Sequence, residues 1–255
     1  MNLITSIPAK VSRPLPDGTE VGDTWTELCL SKWHQAGFKV HSLNNAEEID
    51  AIQARFPNVT FHPAKRDARE SMGKPLVYLK DMLEVVAAQP GDYVAVTNAD
   101  VLLLLDDFAS LAALRPEGLA YSTRVDIDDF NMSNPVIHGG VDFVLFHKSW
   151  LDEMDCPDFV FGTPWWDYWL PMATLGMGRP VTRLEKNGVP IIAHLRHTER
   201  WDSTQFAANY HVFMRALATL DAFSLPAMAE IAQSFSALIR KTSPVIDLSP
   251  PGPAV

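Results

Sequence analysis

Apolar and polar residues follow two periods along the first hundred positions. Short apolar runs, rich in β-branched residues, are separated by stretches in which apolar residues recur every three or four positions. The short runs predict strands, and the stretches between them predict helices with one buried face. The predicted strands are 2–7, 38–43, 59–62 and 93–97, and the predicted helices are 23–35, 46–55 and one that begins at Pro75. This alternation is typical of a doubly wound α/β sheet, mixed but mostly parallel, with helices on both faces.

The second half of the chain is less regular. Strands are predicted at 119–123, 141–146 and 189–193, and a polar, Asp-rich loop at 124–134. Two amphipathic helices, 203–220 and 224–241, are expected to pack against the sheet, and the proline-rich tail 242–255 is expected to be disordered. We therefore expect a single domain over residues 1–241.

A tryptophan-rich segment precedes one further helix in this half. Thr163 is a suitable N-cap, and Pro164 suits the first helical position. Pro171 is expected to kink or shorten this helix, because it lacks a backbone N–H.

Composition narrows the class of protein. The chain has 255 residues, of which 47% are hydrophobic and 20% charged, enough for a full globular core. A net charge of −10 argues against nucleic acid as a partner. Two cysteines outside any CxxC pair favour a reducing compartment, so we expect a cytoplasmic protein. No apolar run is long enough for a signal peptide or a transmembrane segment.

The strand at 93–97 ends at Asn98-Ala99-Asp100, and apolar residues follow at once. Ligands of doubly wound sheets bind at the carboxyl ends of the strands, where Ser6 and Asn44 are also expected. Asp100 is therefore a candidate ligand of a metal or a diphosphate. The alternative is an Asp that caps the next turn.

Five other residues are candidates for the site, and most of them lie in the second half of the chain. His194 and His197 follow a late strand and can share one metal ion, or can each be structural. Asp167 lies among aromatic residues, where a raised pKa would suit a general base, although a helix-start Asp with core tryptophans is the competing interpretation. Asp142 lies inside an apolar strand and needs a partner or a function. Lys74 ends the one dense basic segment, which begins at Lys65.

These features together resemble a nucleotide-sugar glycosyltransferase of the GT-A type. Over roughly residues 2–200, the chain has a nucleotide-binding α/β half, a strand that ends in an acidic triplet, a mixed second half and a late strand that ends in His. The resemblance implies a single GT-A-like domain, with nucleotide-binding residues in about 1–107, acceptor and metal residues in 108–200, and C-terminal helices in 203–241.

The resemblance also implies roles for the candidate residues. It implies a divalent metal, Mn²⁺ or Mg²⁺, on the donor diphosphate, held by Asp100, His194 and His197. It implies that in an inverting enzyme an acidic residue, Asp167 or else Asp142, deprotonates an acceptor hydroxyl on a glycan or other molecule, whereas the sequence leaves open whether the transfer is inverting or retaining. The donor would contact the nucleotide-site candidates, which are Ser6, Asn44, Lys74 and Asn98. The expected activity is that of a nucleotide-sugar-dependent hexosyltransferase.

One position departs from the family pattern, which has Asp-x-Asp at the triplet. Asn98 stands at the first position; its carbonyl can still bind the metal or the ribose, but it brings no charge. This departure leaves open a protein that binds a nucleotide sugar without turnover. A sugar-phosphate nucleotidyltransferase is disfavoured, because no glycine-rich loop follows the first strand. GxGxxG and GxxxxGK[ST] are also absent, which argues against common dinucleotide and ATP sites.

Overall fold

The computed structural model describes residues 1–105, 111, 113–197 and 202–219. The strands are β1 (Asn2–Thr5), β2 (Lys39–Asn44), β3 (Val59–Pro63), β4 (Tyr93–Thr97), β5 (Val101–Leu103), β6 (Leu119–Ile127), β7 (Val136–His147), β8 (Val181–Arg183), β9 (Glu185–Lys186), β10 (Val189–Pro190) and β11 (Ile192–Leu195). The helices are α1 (Gly22–Gln35), α2 (Ala46–Ile52), α3 (Arg69–Met72), α4 (Leu79–Ala87), α5 (Trp166–Gly176) and α6 (Ser203–Thr219), and a 3₁₀ turn spans Lys148–Asp152.

One large sheet organises the described chain. Its strand order is β3-β2-β1-β4-β7-β6-β11-β5, with β8 also paired to β6. The first four strands are parallel, as are the pairs β6–β11 and β6–β8, whereas β7 is antiparallel to both its neighbours and β5 to β11. The predicted mixed, mostly parallel α/β sheet is confirmed.

Helices cover both faces of this sheet. Neighbouring residues of one strand enter different cores, as Leu3 and Ile4 do in β1, because side chains alternate across a pleated strand. One core contains α1 with Trp25 and Trp33, and the other contains α4, α5 and α6. Trp25, Cys29 and Trp33, whose helical spacing predicts one buried face for α1, are all fully buried.

The helix expected at Pro75 begins four residues later, at Leu79. Residues before it are extended and pair with a distant segment: the Val77 carbonyl accepts from the Phe161 amide at 2.8 Å, and Tyr78 bridges Val160. This long-range pairing outweighs the local preference of proline for a first helical position.

The expected start of α5 is also wrong. The Thr163 hydroxyl donates to the Val160 carbonyl at 2.8 Å instead of capping a helix. The helix begins at Trp166, after Trp165 in a left-handed conformation with φ of 92°. It then runs past Pro171 to Gly176, so Pro171 does not end it.

Three strands in the second half differ from the predicted ones, and one of them, β7, begins at Val136 instead of 141. The expected loop at 124–134 starts as strand, because β6 continues to Ile127 between partners on both sides, β7 and β11. The predicted strand 189–193 is divided at Ile191, and its second part reaches Leu195, which places His194 inside β11.

The sequence predictions for 224–241 and 242–255 lie outside the described residues. Among the helices that are described, none is long and apolar enough to span a bilayer. Cys29 and Cys156 are both buried free thiols.

Candidate active site

Asp100 lies between β4 and β5, and two side chains of α1 hydrogen-bond to the backbone at this position. The Trp25 indole N–H donates to the Asp100 carbonyl at 2.8 Å, and the Trp33 indole N–H donates to the Val101 carbonyl at 3.0 Å. Two buried tryptophans, spaced two helical turns apart, thus hold the backbone on which the Asp100 side chain is mounted.

Strand pairing brings His194 to Asp100. Val101 is the partner of His194 in the β5–β11 ladder. His194 Nε2 lies 3.4 Å from Asp100 Oδ2, and His197 Nε2 lies 3.6 Å from the same oxygen and 3.1 Å from His194 Nε2. The three side chains offer ligand atoms within 4.8 Å of one another, so they can hold a metal ion together. One carboxylate oxygen and two imidazole nitrogens form a donor set that suits Mn²⁺ better than Mg²⁺.

Asp126 orients His194 from the other side of the ring. It is the register partner of His194 across β6 and β11, and its Oδ1 lies 3.2 Å from His194 Nδ1. A carboxylate on Nδ1 favours the tautomer that leaves Nε2 free to bind a metal.

Opposing effects set the ionisation of Asp100 and His194. Burial would raise the pKa of Asp100, but His194, His197 and Arg13 outweigh it and hold that pKa well below its ordinary value. Burial would lower the pKa of His194, but the Asp100 and Asp126 carboxylates raise it to about 9.

Asn98 points away from this group. Its side-chain N–H donates to Asp142 Oδ1 at 2.7 Å, and Arg124 Nη1 donates to Asp142 Oδ2 at 2.6 Å. An Asp at position 98 would place two carboxylates in contact, so the amide fits this neighbour better. Asp142 is only 4% exposed, and a buried carboxylate needs hydrogen-bond or charge partners. Asn98 and Arg124 provide them.

Arg124 connects Asp142 to the metal-binding group. Its Nε donates to Asp126 Oδ1 at 2.8 Å, and that oxygen also faces His194. Arg124 and Asp126 lie two residues apart on β6, hence on one face. Three carboxylates, those of Asp100, Asp126 and Asp142, are thus linked to His194 by one polar network.

Asp167 lies in the first turn of α5, where its Oδ1 accepts from the Trp165 amide at 3.1 Å. Burial, together with the negative charge of Asp142, raises the pKa of Asp167 to about 7. The preceding turn is clamped by Asn209 of α6, which is fully buried and bonds the Val160 amide at 3.1 Å and the Val160 and Pro164 carbonyls at 3.0 Å each.

The other predicted site residues are placed less centrally. Asn44 is fully buried, and its amide bonds internal groups, including the Ile7 carbonyl at 2.8 Å, whereas Ser6 beside it is partly exposed. Lys74 is exposed on the loop between α3 and α4. The tryptophans around Asp167, namely Trp165, Trp166 and Trp169, are each at most 3% exposed and serve as core.

Three residues of the site were not predicted: Arg13, Arg124 and Asp126. In the sequence, Arg124 and Asp126 alternate with Val125 and Ile127, a period-2 pattern that marks a half-buried strand and was available as a signal. Arg13 lies in a proline-rich loop that has no periodicity, and it contacts Asp100 across 87 positions of sequence.

No family model and no curated protein matches the chain. Among solved structures, it is similar to a mutant of the Drosophila beta-1,4-galactosyltransferase 7 in complex with manganese, UDP-Gal and xylobiose, at 12% identity and a TM-score of 0.44, over 80% of this chain and 74% of that one. It is also similar to the mannosyltransferase PcManGT from Pyrobaculum calidifontis in complex with GDP-Man and Mn²⁺, at 14% identity and a TM-score of 0.46, over 94% and 80% of the two chains. Both likenesses are distant, and they assign no role to any residue of this chain.

Proposed function

We propose that the protein is a metal-dependent glycosyltransferase that moves a sugar from a nucleoside diphosphate sugar to an acceptor hydroxyl. The observation that carries this proposal is the convergence of Asp100, His194 and His197 at one end of the sheet. The network through Asp126, Arg124 and Asp142 extends from this group toward Asp167. A cation site would stabilise a leaving diphosphate, and a partly buried carboxyl of raised pKa would serve as the general base of an inverting transfer.

Asp100, His194 and His197 would hold the ion, and Asp126 would fix His194 in position. When bound, a divalent ion neutralises the charge that develops on a leaving diphosphate. In this proposal, residues 1–107 form the nucleotide-binding half, with Ser6 and Lys74 toward the nucleotide, and residues 108–200 form the acceptor half. Buried Asn44 supports Ser6 through a 3.5 Å contact to its hydroxyl.

The two carboxylates of the acceptor half take different roles. Asp167 is the better general base, because its pKa of about 7 lets it gain a proton from an acceptor hydroxyl near neutral pH. Asp142 has both oxygens engaged by Asn98 and Arg124, which fixes its orientation for accepting a hydrogen bond from a sugar hydroxyl. Asn98 then contributes to the sugar side of the site and not to the metal.

A donor-cleavage assay tests this function. Purified protein is incubated with UDP-Gal or GDP-Man, or with other nucleotide sugars, in MnCl₂ or in EDTA, and released nucleoside diphosphate is measured. We expect Mn²⁺-dependent release that Asp100→Asn abolishes and that the exposed control Asp50→Asn retains. Binding without release across the donor panel, even with mono- and disaccharide acceptors added, would instead favour the non-catalytic binding protein. Activity of Asp100→Asn in EDTA would contradict the metal mechanism.

A further inference from the structure

Arg13 is a buried arginine at the metal-binding end of the sheet. It lies in the loop between β1 and α1 and is 5% exposed. Its Nη2 contacts Asp100 Oδ2, and its Nη1 donates to the Ser12 carbonyl at 2.9 Å. Its Nε is buried and has no hydrogen-bond partner among the described residues. A guanidinium that is out of solvent and incompletely bonded has donor capacity left for a ligand.

Arg13 and the histidines converge on the same atom. Asp100 Oδ2 contacts Arg13, and it is also the oxygen 3.4 Å from His194 Nε2 and 3.6 Å from His197 Nε2. A cation that binds this oxygen together with the two imidazoles would lie beside the guanidinium. Two positive charges at contact distance repel strongly in a partly buried site, so Arg13 and the metal compete for Asp100.

The loop backbone is held independently of that contact. The Glu20 carboxylate accepts from the backbone amide of Arg13, from the Ser12 hydroxyl and, at 2.9 Å, from the Gly22 amide. The Val21 amide donates to the Arg13 carbonyl at 3.1 Å. Because the main chain at Arg13 is fixed in this way, its side chain can exchange partners without unfolding the loop.

The charges at the site favour binding of an anion once a metal ion is bound. Asp100 and Arg13 already neutralise each other, and Arg124 is shared between Asp126 and Asp142. These three carboxylates face only two guanidinium groups, so a divalent cation turns a small negative excess into a positive one, which a diphosphate would neutralise. The planar guanidinium also matches phosphate oxygens with two parallel N–H donors.

We propose that the Arg13 side chain binds Asp100 in the metal-free protein and moves to the donor diphosphate when a metal ion binds Asp100. This inference rests on the proposed function. It makes Arg13 a diphosphate-binding residue, and it predicts that metal and nucleoside diphosphate each bind weakly alone and strongly together.

The test measures thermal stabilisation by MnCl₂ alone, by UDP or GDP alone, and by each pair. For the wild-type chain we expect the pair to stabilise more than the two single additions combined. For Arg13→Gln we expect the concentration of Mn²⁺ alone that gives half-maximal stabilisation to fall by about tenfold or more. The synergy with UDP or GDP should be lost in the same variant. Tighter binding of a ligand after loss of a site residue is a result that a merely structural arginine would not give.

Two variants serve as controls. Arg13→Lys keeps the positive charge, so Mn²⁺ alone should still bind weakly, while the loss of the paired donors should reduce the synergy. Arg55→Gln removes a surface arginine that pairs with Asp23 at 3.0 Å, and it should match the wild type throughout. Circular dichroism of all variants checks that they are folded.

The outcomes separate this inference from the proposed function. If Arg13→Gln binds Mn²⁺ alone no better than the wild type does, the competition for Asp100 is refuted, whatever the donor assay gives. If Arg13→Gln binds Mn²⁺ more tightly but neither chain responds to UDP, GDP or any other nucleoside diphosphate, the competition for Asp100 stands, whereas the diphosphate-binding role of Arg13 and the proposed function are both refuted.

Discussion

Asp167 gives the sharpest test of the site, because its environment has a measurable effect on stability that needs no substrate. Burial and the charge of Asp142 raise its pKa to about 7. Asp167→Asn keeps the size of the side chain and an oxygen that can accept from the Trp165 amide, but it removes the ionisation. The variant therefore isolates the cost of the buried charge.

The sign and size of the effect follow from linkage. Between about pH 4 and pH 7, Asp167 is protonated in the folded protein and ionised in the unfolded chain. The folded state then binds more protons, so the free energy of unfolding falls as the pH rises through this window. At about 1.4 kcal/mol per pH unit, the free energy of unfolding falls by up to about 4 kcal/mol between pH 4 and pH 7. Because the Asp167 side chain is partly exposed to solvent, we expect a loss of about 2–4 kcal/mol.

The assay is urea unfolding of the wild type and of Asp167→Asn at half-unit intervals from pH 4 to pH 8. Subtracting the two curves removes titrations that both proteins share. We expect near-equal stability at pH 4 and a variant that is about 2–4 kcal/mol more stable at pH 8. For the control Asp50→Asn, on the exposed face of α2, the free energy of unfolding should change with pH as it does in the wild type. Parallel curves for Asp167→Asn and wild type would refute the raised pKa and, with it, the assignment of Asp167 as base.

Three further changes test other parts of the site. Asp142→Asn removes the charge that helps to raise the pKa of Asp167, so the midpoint of the stability change should move to lower pH in the same urea series. Asn209→Ala leaves buried backbone groups of Val160 and Pro164 without partners, and urea unfolding should show a loss of about 2–4 kcal/mol; a loss below about 1 kcal/mol would contradict the clamp. Asp126→Asn weakens the hold on His194, and half-maximal stabilisation by MnCl₂ with UDP should need about 10–100-fold more metal; unchanged metal binding would exclude an orienting role for Asp126.

The N-terminal half of the fold was accessible from sequence because its signals are local. The strands β1 and β4 are short runs rich in apolar and β-branched residues, and α1 carries its buried face in the spacing of Trp25, Cys29 and Trp33. Parallel strands joined by helices then follow from the order of the elements. Asp100 could be placed at the strand ends for the same reason, since β4 stops just before it.

The errors occur where long-range pairing overrides local preference. Pro75 and Thr163 have the right chemistry for helix starts, yet Val77 pairs with Phe161, and Thr163 lies in a turn that Asn209 of α6 holds. The strand β5 has only three residues and depends on pairing with β11. No window of sequence around these positions contains the partner that decides their conformation.

The sequence by itself determined the class of sheet, the rim on which Asp100 lies, and the candidate histidines and carboxylates. Only the tertiary structure decided how they combine, because the decisive partners come from distant strands. Register places Val101 and Asp126 on either side of His194, which brings the candidate metal ligands together and supports one of them. The same folding turns Asn98 toward Asp142 and brings Arg13 onto Asp100. The sequence shows which residues have suitable side chains, whereas the distances between those side chains depend on strand register and on the conformation of the loop that carries Arg13.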